Sequence, residues 1–325
     1  MSEETFEDDL AFPVSARRPS EATRMMNGVS VIIPTRNRVG GLKRLLDSLH
    51  CSAAPDSMPI EIIVVNNGST DGTDCLLKDE ATARRFDELI VLQQPTRGKS
   101  HAINLALSVA RGEILMVLDD DVSVHPDCVT RLLDAYEGNG FSAVQGRVLA
   151  GRDPDGRSAE SGRLYEYNIP LVDHGDKIRS IRGLTGTNMS FKREVLERVG
   201  SFDVRLGPGA SGFSEDSEFS RRVRRAGFKI GYTPHAIAYH ELNPARYGRA
   251  YHRDVQYRKG LSRSLYINES LSRRVLPRLW GNCQRYCMYR MLGNREQAYK
   301  TEGRILKACG YVMGKLRPLV PRHFS

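Results

Sequence analysis

The sequence alternates short, mostly apolar runs with longer segments whose apolar residues recur at helical spacing, and this alternation limits the possible folds most. Each run has the length of a buried strand and ends in turn-forming or charged residues. The predicted helices span 39–50, 100–110 and 126–136, and a further helix after the turn at 66–72 ends at about 85. The predicted strands span 29–33, 61–65, 89–92, 114–118, 143–148, 229–232 and 236–239. Strands that alternate with helices favour a parallel sheet with right-handed crossovers. The sequence therefore predicts an α/β fold.

Three consecutive aspartates, Asp119, Asp120 and Asp121, directly follow the predicted strand 114–118. Ligands of open α/β sheets bind at the carboxyl ends of the strands, so we expect these carboxylates to line a crevice. Side chains alternate along an extended chain, which predicts that Asp119 and Asp121 face the same way. Two such carboxylates repel each other unless a hard cation such as Mg²⁺ or Mn²⁺ lies between them. Taken alone, the triplet is more typical of a charged turn without a ligand.

The composition is that of a globular enzyme-sized protein, with 325 residues, 40% hydrophobic and 27% charged. No apolar stretch has the length of a membrane span, and the acidic N-terminus lacks the pattern of a signal peptide. These features predict a cytoplasmic protein. The six cysteines form no C-x-x-C pair, which argues against a zinc site or a disulfide framework.

Positive charge is concentrated in the C-terminal segment 245–325, which carries 18 Lys or Arg against four Asp or Glu. Its net charge is +14, so the remainder of the chain carries −5 of the total of +9. Such a segment suggests an anionic partner, either lipid headgroups or a phosphorylated acceptor, whereas nucleic acid is not expected. Trp280 and tyrosines within 276–313 favour a peripheral position at the inner face of a membrane. A solvated helical surface is the alternative.

The same patterns divide the chain into three parts. Residues 1–27 contain acids, proline and serine with little periodicity, which predicts a disordered leader. Residues 28–245 hold the strands, the helices and the candidate site residues, and we expect them to form the catalytic domain. In the segment 246–325 arginines and aromatic residues interleave, which predicts a basic, mainly helical extension.

Four motifs follow one another in a fixed order. They are VSVIIPTRN at 29–37, IIVVNNGSTDGT at 62–73, the aspartate triplet preceded by RGKSHAIN at 97–104, and SEDSE at 214–218 with His240 beyond it. Each motif alone is weak, but together they resemble the inverting family 2 glycosyltransferases of the GT-A fold, over about 29–241. The resemblance implies a mostly parallel sheet flanked by helices, with a Rossmann-like nucleotide half, an acceptor half and a C-terminal helical extension.

The resemblance also implies a nucleotide site and a donor base. The family often has an acid where this chain has Asn66, yet an asparagine carbonyl can still accept a hydrogen bond from the N–H of uracil. A UDP-sugar is therefore the expected donor. The residues that the resemblance assigns to nucleotide binding are Pro34, Thr35, Arg36, Asn66, Lys99 and Asp119.

For the reaction itself, the resemblance implies that Asp121 and His240 ligate Mg²⁺ or Mn²⁺. Asp216 is the expected general base on the acceptor hydroxyl, with Glu215 as the second candidate. A loop that contains Thr187 and Asn188 would face the donor sugar and the acceptor. The implied activity is metal-dependent transfer of a sugar, with inversion, to a hydroxyl of a saccharide or a lipid-linked saccharide.

Two other functions remain open at the level of sequence. A nucleotidyltransferase can have a similar sheet, but it needs a glycine-rich phosphate loop after the first strand, where this chain has glycines only at Gly40 and Gly41. A non-catalytic protein could bind a membrane or nucleic acid through its basic tail. The intact acidic pair Glu215 and Asp216 argues against an inactive site.

Overall fold

A computed structural model describes residues 26–52, 58–79, 82, 84–151, 169–246 and 248–316. The predicted leader 1–27 lies outside these residues except for its last two, which belong to the first strand. The strands are β1 Met26–Thr35, β2 Ile60–Asn66, β3 Leu89–Gln93, β4 Gly112–Leu118, β5 Val122–Val124, β6 Ala143–Ala150, β7 Arg179–Ile181, β8 Asn188–Lys192 and β9 Ile230–His240.

Helices flank the sheet and form the C-terminal extension. They are α1 Val39–His50, α2 Thr73–Lys78, α3 Lys99–Val109, α4 Cys128–Asp134, α5 Arg193–Val199, α6 Glu215–Arg225, α7 Arg249–Tyr266, α8 Leu276–Met291 and α9 Arg295–Leu316. A 3₁₀ turn, Pro244–Arg246, precedes α7, and a π-helical turn, Leu271–Val275, precedes α8. Among the described residues, no helix combines the length and the apolarity that crossing a bilayer requires.

The strands form one mixed sheet in the order β3-β2-β1-β4-β8-β6-β9-β5, with β7 paired to β9. The four strands β3, β2, β1 and β4 are parallel, as the alternation of strands and helices predicts. Strand β8 is antiparallel to both β4 and β6 and joins this parallel half to the remaining strands. The ends of β1 and β2 are in register at Thr35 and Asn66, so the residues that follow them meet at one edge.

Each face of the sheet is covered by its own apolar core. Leu42 and Leu45 of α1 pack on one face with Met116 of β4, and all three are fully buried. On the other face, Ile103 of α3 and Phe219 of α6 lie against the sheet. Burying each such side chain stabilises the fold by about 1.5–3 kcal/mol. The second core therefore holds the starts of α3 and α6 at the edge where the strands end.

Strand β9 corrects one prediction. The sequence predicts two separate strands, at 229–232 and 236–239, with Pro234 between them. Proline cannot donate a hydrogen bond to a strand ladder. In the structure β9 runs through this position, and its pairing with β6 shifts between Gly146 and Arg147, which face Thr233 and Ile237. The bulge accommodates the proline, so the strand continues as far as His240.

A second correction concerns α2, which the sequence extends to about residue 85. The helix ends at Lys78, and Asp79 already has an extended backbone with ψ of 121°. Within 80–85, residues 80, 81 and 83 lie outside the described part of the chain. The remaining predicted helices, 39–50, 100–110 and 126–136, are present with bounds that differ by no more than two residues at each end.

Candidate active site

A polar cleft of about 1090 Å³ lies where the ends of β1 and β4 meet the start of α6 and one side of α7. It contains ten of the twelve residues that the sequence assigns to the site. These are Pro34, Thr35, Arg36, Lys99, Asp119, Asp121, Thr187, Glu215, Asp216 and His240. Strands, loops and helix starts far apart in sequence thus converge on one cavity.

Lys99, at the start of α3, joins two acids of the cleft. Its ammonium group forms an ion pair with Asp119 and lies 3.5 Å from Oε1 of Glu215. Burial by itself would lower the pKa of Lys99, but Asp119 and Glu215 outweigh it and raise that pKa above its ordinary value. The lysine therefore stays charged and holds the strand end and the helix start together. Thr187 donates a further hydrogen bond to Asp119, at 3.4 Å.

The aspartate triplet departs from the simple alternation that the sequence predicts. β4 ends at Leu118, and Asp120 and Asp121 form a turn, so all three carboxylates line the cleft. Asp120 accepts a hydrogen bond of 2.8 Å from the hydroxyl of Thr35. Burial and the neighbouring charge of Asp121 raise the pKa of Asp120 to about 7. Thus Asp120 is tied to β1, while Asp121 faces a different set of partners.

Asp121 is buried beside one histidine and two arginines. Its Oδ1 lies 3.3 Å from Nε2 of His240, and its Oδ2 lies 3.3 Å from both Arg38 and Arg246. Burial would raise its pKa, but His240 and the two arginines lower it, so Asp121 is ionised. Nδ1 of His240 lies 2.8 Å from the carbonyl oxygen of Glu241, which can only accept, so this nitrogen carries the proton.

Asp121 and His240 are the residues best placed to hold a divalent cation. Two ligands at about 2.1 Å from one octahedral ion, at right angles, are about 3 Å apart, which fits the observed 3.3 Å. No group of three His, Cys, Asp or Glu side chains suited to a metal occurs in the part of the chain that the structure describes. A cation here would need further oxygen ligands, which is how Mg²⁺ and Mn²⁺ bind to substrate phosphates.

Glu215 and Asp216 begin α6 directly after a strained residue. Ser214 has a left-handed backbone with φ of 78°, which non-glycine residues rarely adopt outside functional sites. Glu215 turns into the protein, where burial outweighs the effect of Lys99 and raises its pKa to about 7. Asp216 is only half-buried, and its Oδ2 accepts from the backbone N–H of Gly186 at 3.3 Å. Asp216 is thus the more accessible acid.

Two predicted site residues, Asn66 and Asn188, do not line the cleft. The Asn66 amide donates to Asp74 at 2.6 Å and accepts from Ser69 at 2.9 Å, so both of its ends are used within the strand-end turn. The buried side chain of Asn188 donates to the carbonyl oxygen of Ala236 at 3.1 Å. At both sites the neighbouring residue reaches the cleft instead, namely Asn67 and Thr187.

Sequence reasoning missed several residues of the cleft. Arg246, in the 3₁₀ turn before α7, donates a hydrogen bond of 3.3 Å to Asp121. Lys259 of α7 and Lys307 of α9 line the cleft from the C-terminal extension. No local motif marks these two lysines, since their position depends on how the helices pack, and only the basic charge of the extension pointed to them.

Several known proteins are similar to this chain in sequence or in fold. Glycosyltransferase AglE of Haloferax volcanii is 28% identical over 255 residues, which cover 78% of this chain and 79% of that protein. The glucosyl-dolichyl phosphate glucuronosyltransferase of the same organism is 24% identical over 193 residues, 57% of this chain and 60% of that protein. The mannosyltransferase PcManGT from Pyrobaculum calidifontis, solved with GDP-Man and Mn²⁺, superimposes with a TM-score of 0.61 at 19% identity, covering 90% of this chain and 88% of that one.

The superposition confirms the GT-A fold, a mixed, mostly parallel sheet flanked by helices, with α5 to α7 towards the C-terminus. The family model of glycosyl transferase family 2 matches residues 30–200, more than half of the chain. This match decides against the nucleotidyltransferase and the non-catalytic binding protein. The chain belongs to glycosyl transferase family 2, whose members transfer a sugar from a nucleotide-sugar donor.

Proposed function

We propose that this glycosyltransferase is metal-dependent and inverting, and that it transfers a sugar from a UDP-sugar to a hydroxyl of a saccharide or lipid-linked saccharide. One observation carries the proposal. A single cleft contains both the buried Asp121–His240 pair and the half-buried carboxylate of Asp216 at a helix start. The first fits a cation that binds phosphate oxygens, and the second fits a base for an incoming hydroxyl.

For the donor, the proposed contacts come from the ends of the parallel strands. Pro34 and Thr35 are the last residues of β1, and Arg36 follows them; all three line the cleft. Arg36 is positioned by a hydrogen bond of 2.8 Å that it donates to the carbonyl oxygen of Asn67. Asn66 donates its side-chain hydrogen bond to Asp74 within the turn after β2, and it is not part of the proposed contact surface. The uracil assignment rests on the sequence resemblance. Because PcManGT binds GDP-Man, a test of the donor has to include guanine nucleotides as well.

For the metal, the proposed ligands are Asp121 and His240, with the donor diphosphate completing the coordination. When bound, the cation stabilises the negative charge that develops on the departing nucleoside diphosphate. Arg38 and Arg246 touch the same carboxylate and add positive charge at that end of the cleft. Asp119 is not counted among the metal ligands, since Lys99 and Thr187 hold its carboxylate.

For the reaction, Asp216 takes the proton from the acceptor hydroxyl while the hydroxyl oxygen forms the new bond to the anomeric carbon of the sugar. The bond from that carbon to the donor phosphate breaks, and nucleoside diphosphate leaves with the bonding electrons. A single displacement of this kind inverts the anomeric configuration. Glu215 is the weaker candidate for the base because it is 6% exposed and next to Lys99.

For the acceptor, we propose a saccharide on a lipid carrier that the enzyme meets at the inner face of an anionic membrane. No residue of α8 is buried, and Leu276, Trp280 and Met291 on it are 49%, 68% and 81% exposed. Spacings of four and eleven residues place the three on one stripe of the helix. Exposed arginines, Arg278, Arg285 and Arg290, lie on the same helix. Apolar and cationic side chains together suit the headgroup region of such a membrane.

The proposed function is tested by incubating the full chain with a panel of UDP- and GDP-sugars and a lipid-linked saccharide, with Mn²⁺ or with a chelator. We expect the release of nucleoside diphosphate from a UDP-sugar only when the metal is present. Release of pyrophosphate, or equal release in the chelator, would contradict it. An α-linked donor should yield a β-linked product, which the anomeric coupling in proton NMR reports.

A further inference from the structure

A group of cations lies in the wall of the cleft formed by the C-terminal extension. Lys259 and Arg263 are one turn apart on α7 and therefore on the same face of it, and Lys307 is on α9. All three line the same cleft as Asp216. We call these three residues the cation cluster.

Glycines bring the two helices of the cluster together. A β-carbon on Gly260 would collide with the carbonyl oxygen of Lys307, and one on Gly310 would collide with that of Tyr257. The backbones of α7 and α9 are therefore in direct contact at these positions. Because Gly260 follows Lys259, Lys307 is fixed beside it. Burial lowers the pKa of Lys307, and the charges of Arg263 and Lys259 lower it further, as expected of neighbouring cations.

The cation cluster is short of negative charge. Glu269 accepts a hydrogen bond of 3.0 Å from Arg263, so this guanidinium has a partner. The ammonium of Lys259 lies 5.6 Å from the ring centroid of Phe213 and also feels the charge of Asp216. Within the described ranges, the side-chain ammonium of Lys307 forms no hydrogen bond and no ion pair. Part-buried cations without a counterion cost free energy, which a bound anion would offset.

We propose that Lys259, Arg263 and Lys307 bind a phosphate group of the acceptor, close to the hydroxyl that receives the sugar. This deepens the proposed function and rests on it, since it takes Asp216 as the acceptor-side base. The acceptor class is then a saccharide joined to its carrier through a phosphate or diphosphate. A lysine pair with an arginine supplies several charge-assisted hydrogen bonds to phosphate oxygens.

The donor diphosphate is the other source of the same chemistry, and the charges of the cleft argue against it. Among the described residues, the basic side chains within 4 Å of the Asp121 carboxylate are Arg38, His240 and Arg246, and none of them belongs to the cation cluster. The carboxylate that acts on Lys259 is Asp216. The cluster thus adjoins the proposed base, whereas the diphosphate of the donor is expected beside Asp121.

The test titrates inorganic phosphate and, separately, UDP with Mg²⁺ into the full chain by calorimetry, with the phosphate titration repeated on protein saturated with UDP. We expect the double variant Lys259→Gln/Lys307→Gln to bind phosphate roughly tenfold or more weakly, with unchanged affinity for UDP. Lys307→Arg keeps the charge and should retain most of the phosphate affinity. Lys315→Gln, an exposed lysine on the same helix α9, is the matched control and should behave as the wild type.

Equal phosphate affinity in the wild type and the double variant would overturn the inference. A parallel loss of UDP and phosphate affinity would also overturn it, because the cluster would then bind the donor diphosphate. If the wild type binds no UDP, the proposed donor is wrong, but the phosphate titrations still decide whether the cluster binds an anion. The two proposals can thus fail separately.

Discussion

Nε2 of His240 lies 3.3 Å from Oδ1 of Asp121, although 118 residues separate the two in the chain. The pairing of β5 with β9 brings them together, since Val122 is in register with His240. The carbonyl oxygen of Glu241 fixes the proton on Nδ1, which leaves Nε2 directed at the carboxylate. This geometry supports the proposed metal site.

Replacing Asp121 by alanine should remove the metal dependence of nucleotide binding. The wild type should bind UDP more tightly with Mn²⁺ than with a chelator, and the variant should bind it about 10–100-fold more weakly in Mn²⁺. Asp127→Ala is the matched control, because the side chain of Asp127 is 50% exposed and lies outside the cleft. Calorimetric titration of UDP measures the difference. If nucleotide binding by Asp121→Ala depended on metal as strongly as that of the wild type, the proposed metal site would be contradicted.

Replacing Asp216 by asparagine should abolish transfer but spare donor binding. Loss of a general base lowers the rate by roughly 10²–10⁴-fold, whereas the nucleotide affinity depends on other residues. The control is Glu194→Gln, an exposed acid in the first turn of α5, which removes a favourable helix-dipole charge without touching the cleft. Single-turnover kinetics with saturating donor give the rate. An Asp216→Asn enzyme with full transfer activity would show that another group acts as the base.

The free energy of unfolding of the metal-free protein should fall as the pH rises from about 4.5 to about 7, because Glu215 loses its proton in the folded protein. Burial raises its folded-state pKa from 4.5 to about 7, so in this window the folded protein binds more protons than the unfolded chain. The loss of stability is on the order of 2–3 kcal/mol. Urea unfolding of the wild type and of Glu215→Gln at several pH values measures it. A pH dependence of equal size in both proteins would contradict the raised pKa.

The face of α8 should bind anionic vesicles. We expect the full chain to sediment with vesicles that contain phosphatidylglycerol and to remain free with phosphatidylcholine alone, since the exposed arginines need an anionic surface. Trp280→Ser should weaken this binding several-fold, because Trp280 is 68% exposed. Arg225→Gln, an exposed arginine on α6, is the control. Binding that is indifferent to anionic lipid would refute the membrane part of the proposal.

Local patterns predicted the parallel half of the sheet because each of its strands is a mostly apolar run. They did not predict β8 as a strand. Its first residue Asn188 and its third, Ser190, are polar but fully buried, and their partners come from distant segments, as Tyr136 does for Ser190. Pairing with β4 and β6 on both sides stabilises this strand, and such long-range pairing leaves no period in the sequence.

The sequence predicted those residues of the candidate site that belong to a motif. The order of the motifs placed Lys99, the aspartates and Asp216 in one cleft. It could not decide which of two neighbouring asparagines faces the cleft, because the turn after β2 sets that direction through Ser69 and Asp74. Nor could it find Lys307, which reaches the cleft only because glycines let α9 lie against α7.

The central claim is metal-dependent transfer from a nucleotide-sugar, and its most direct test is the release of nucleoside diphosphate by the wild-type chain. The measurement compares a panel of UDP- and GDP-sugars, each with Mn²⁺ and with EDTA, in the presence of a lipid-diphosphate-linked saccharide. We expect UDP release from one UDP-sugar in Mn²⁺ and a fall to background in EDTA. Release that is the same in Mn²⁺ and EDTA, or no release from any UDP-sugar, would contradict the claim.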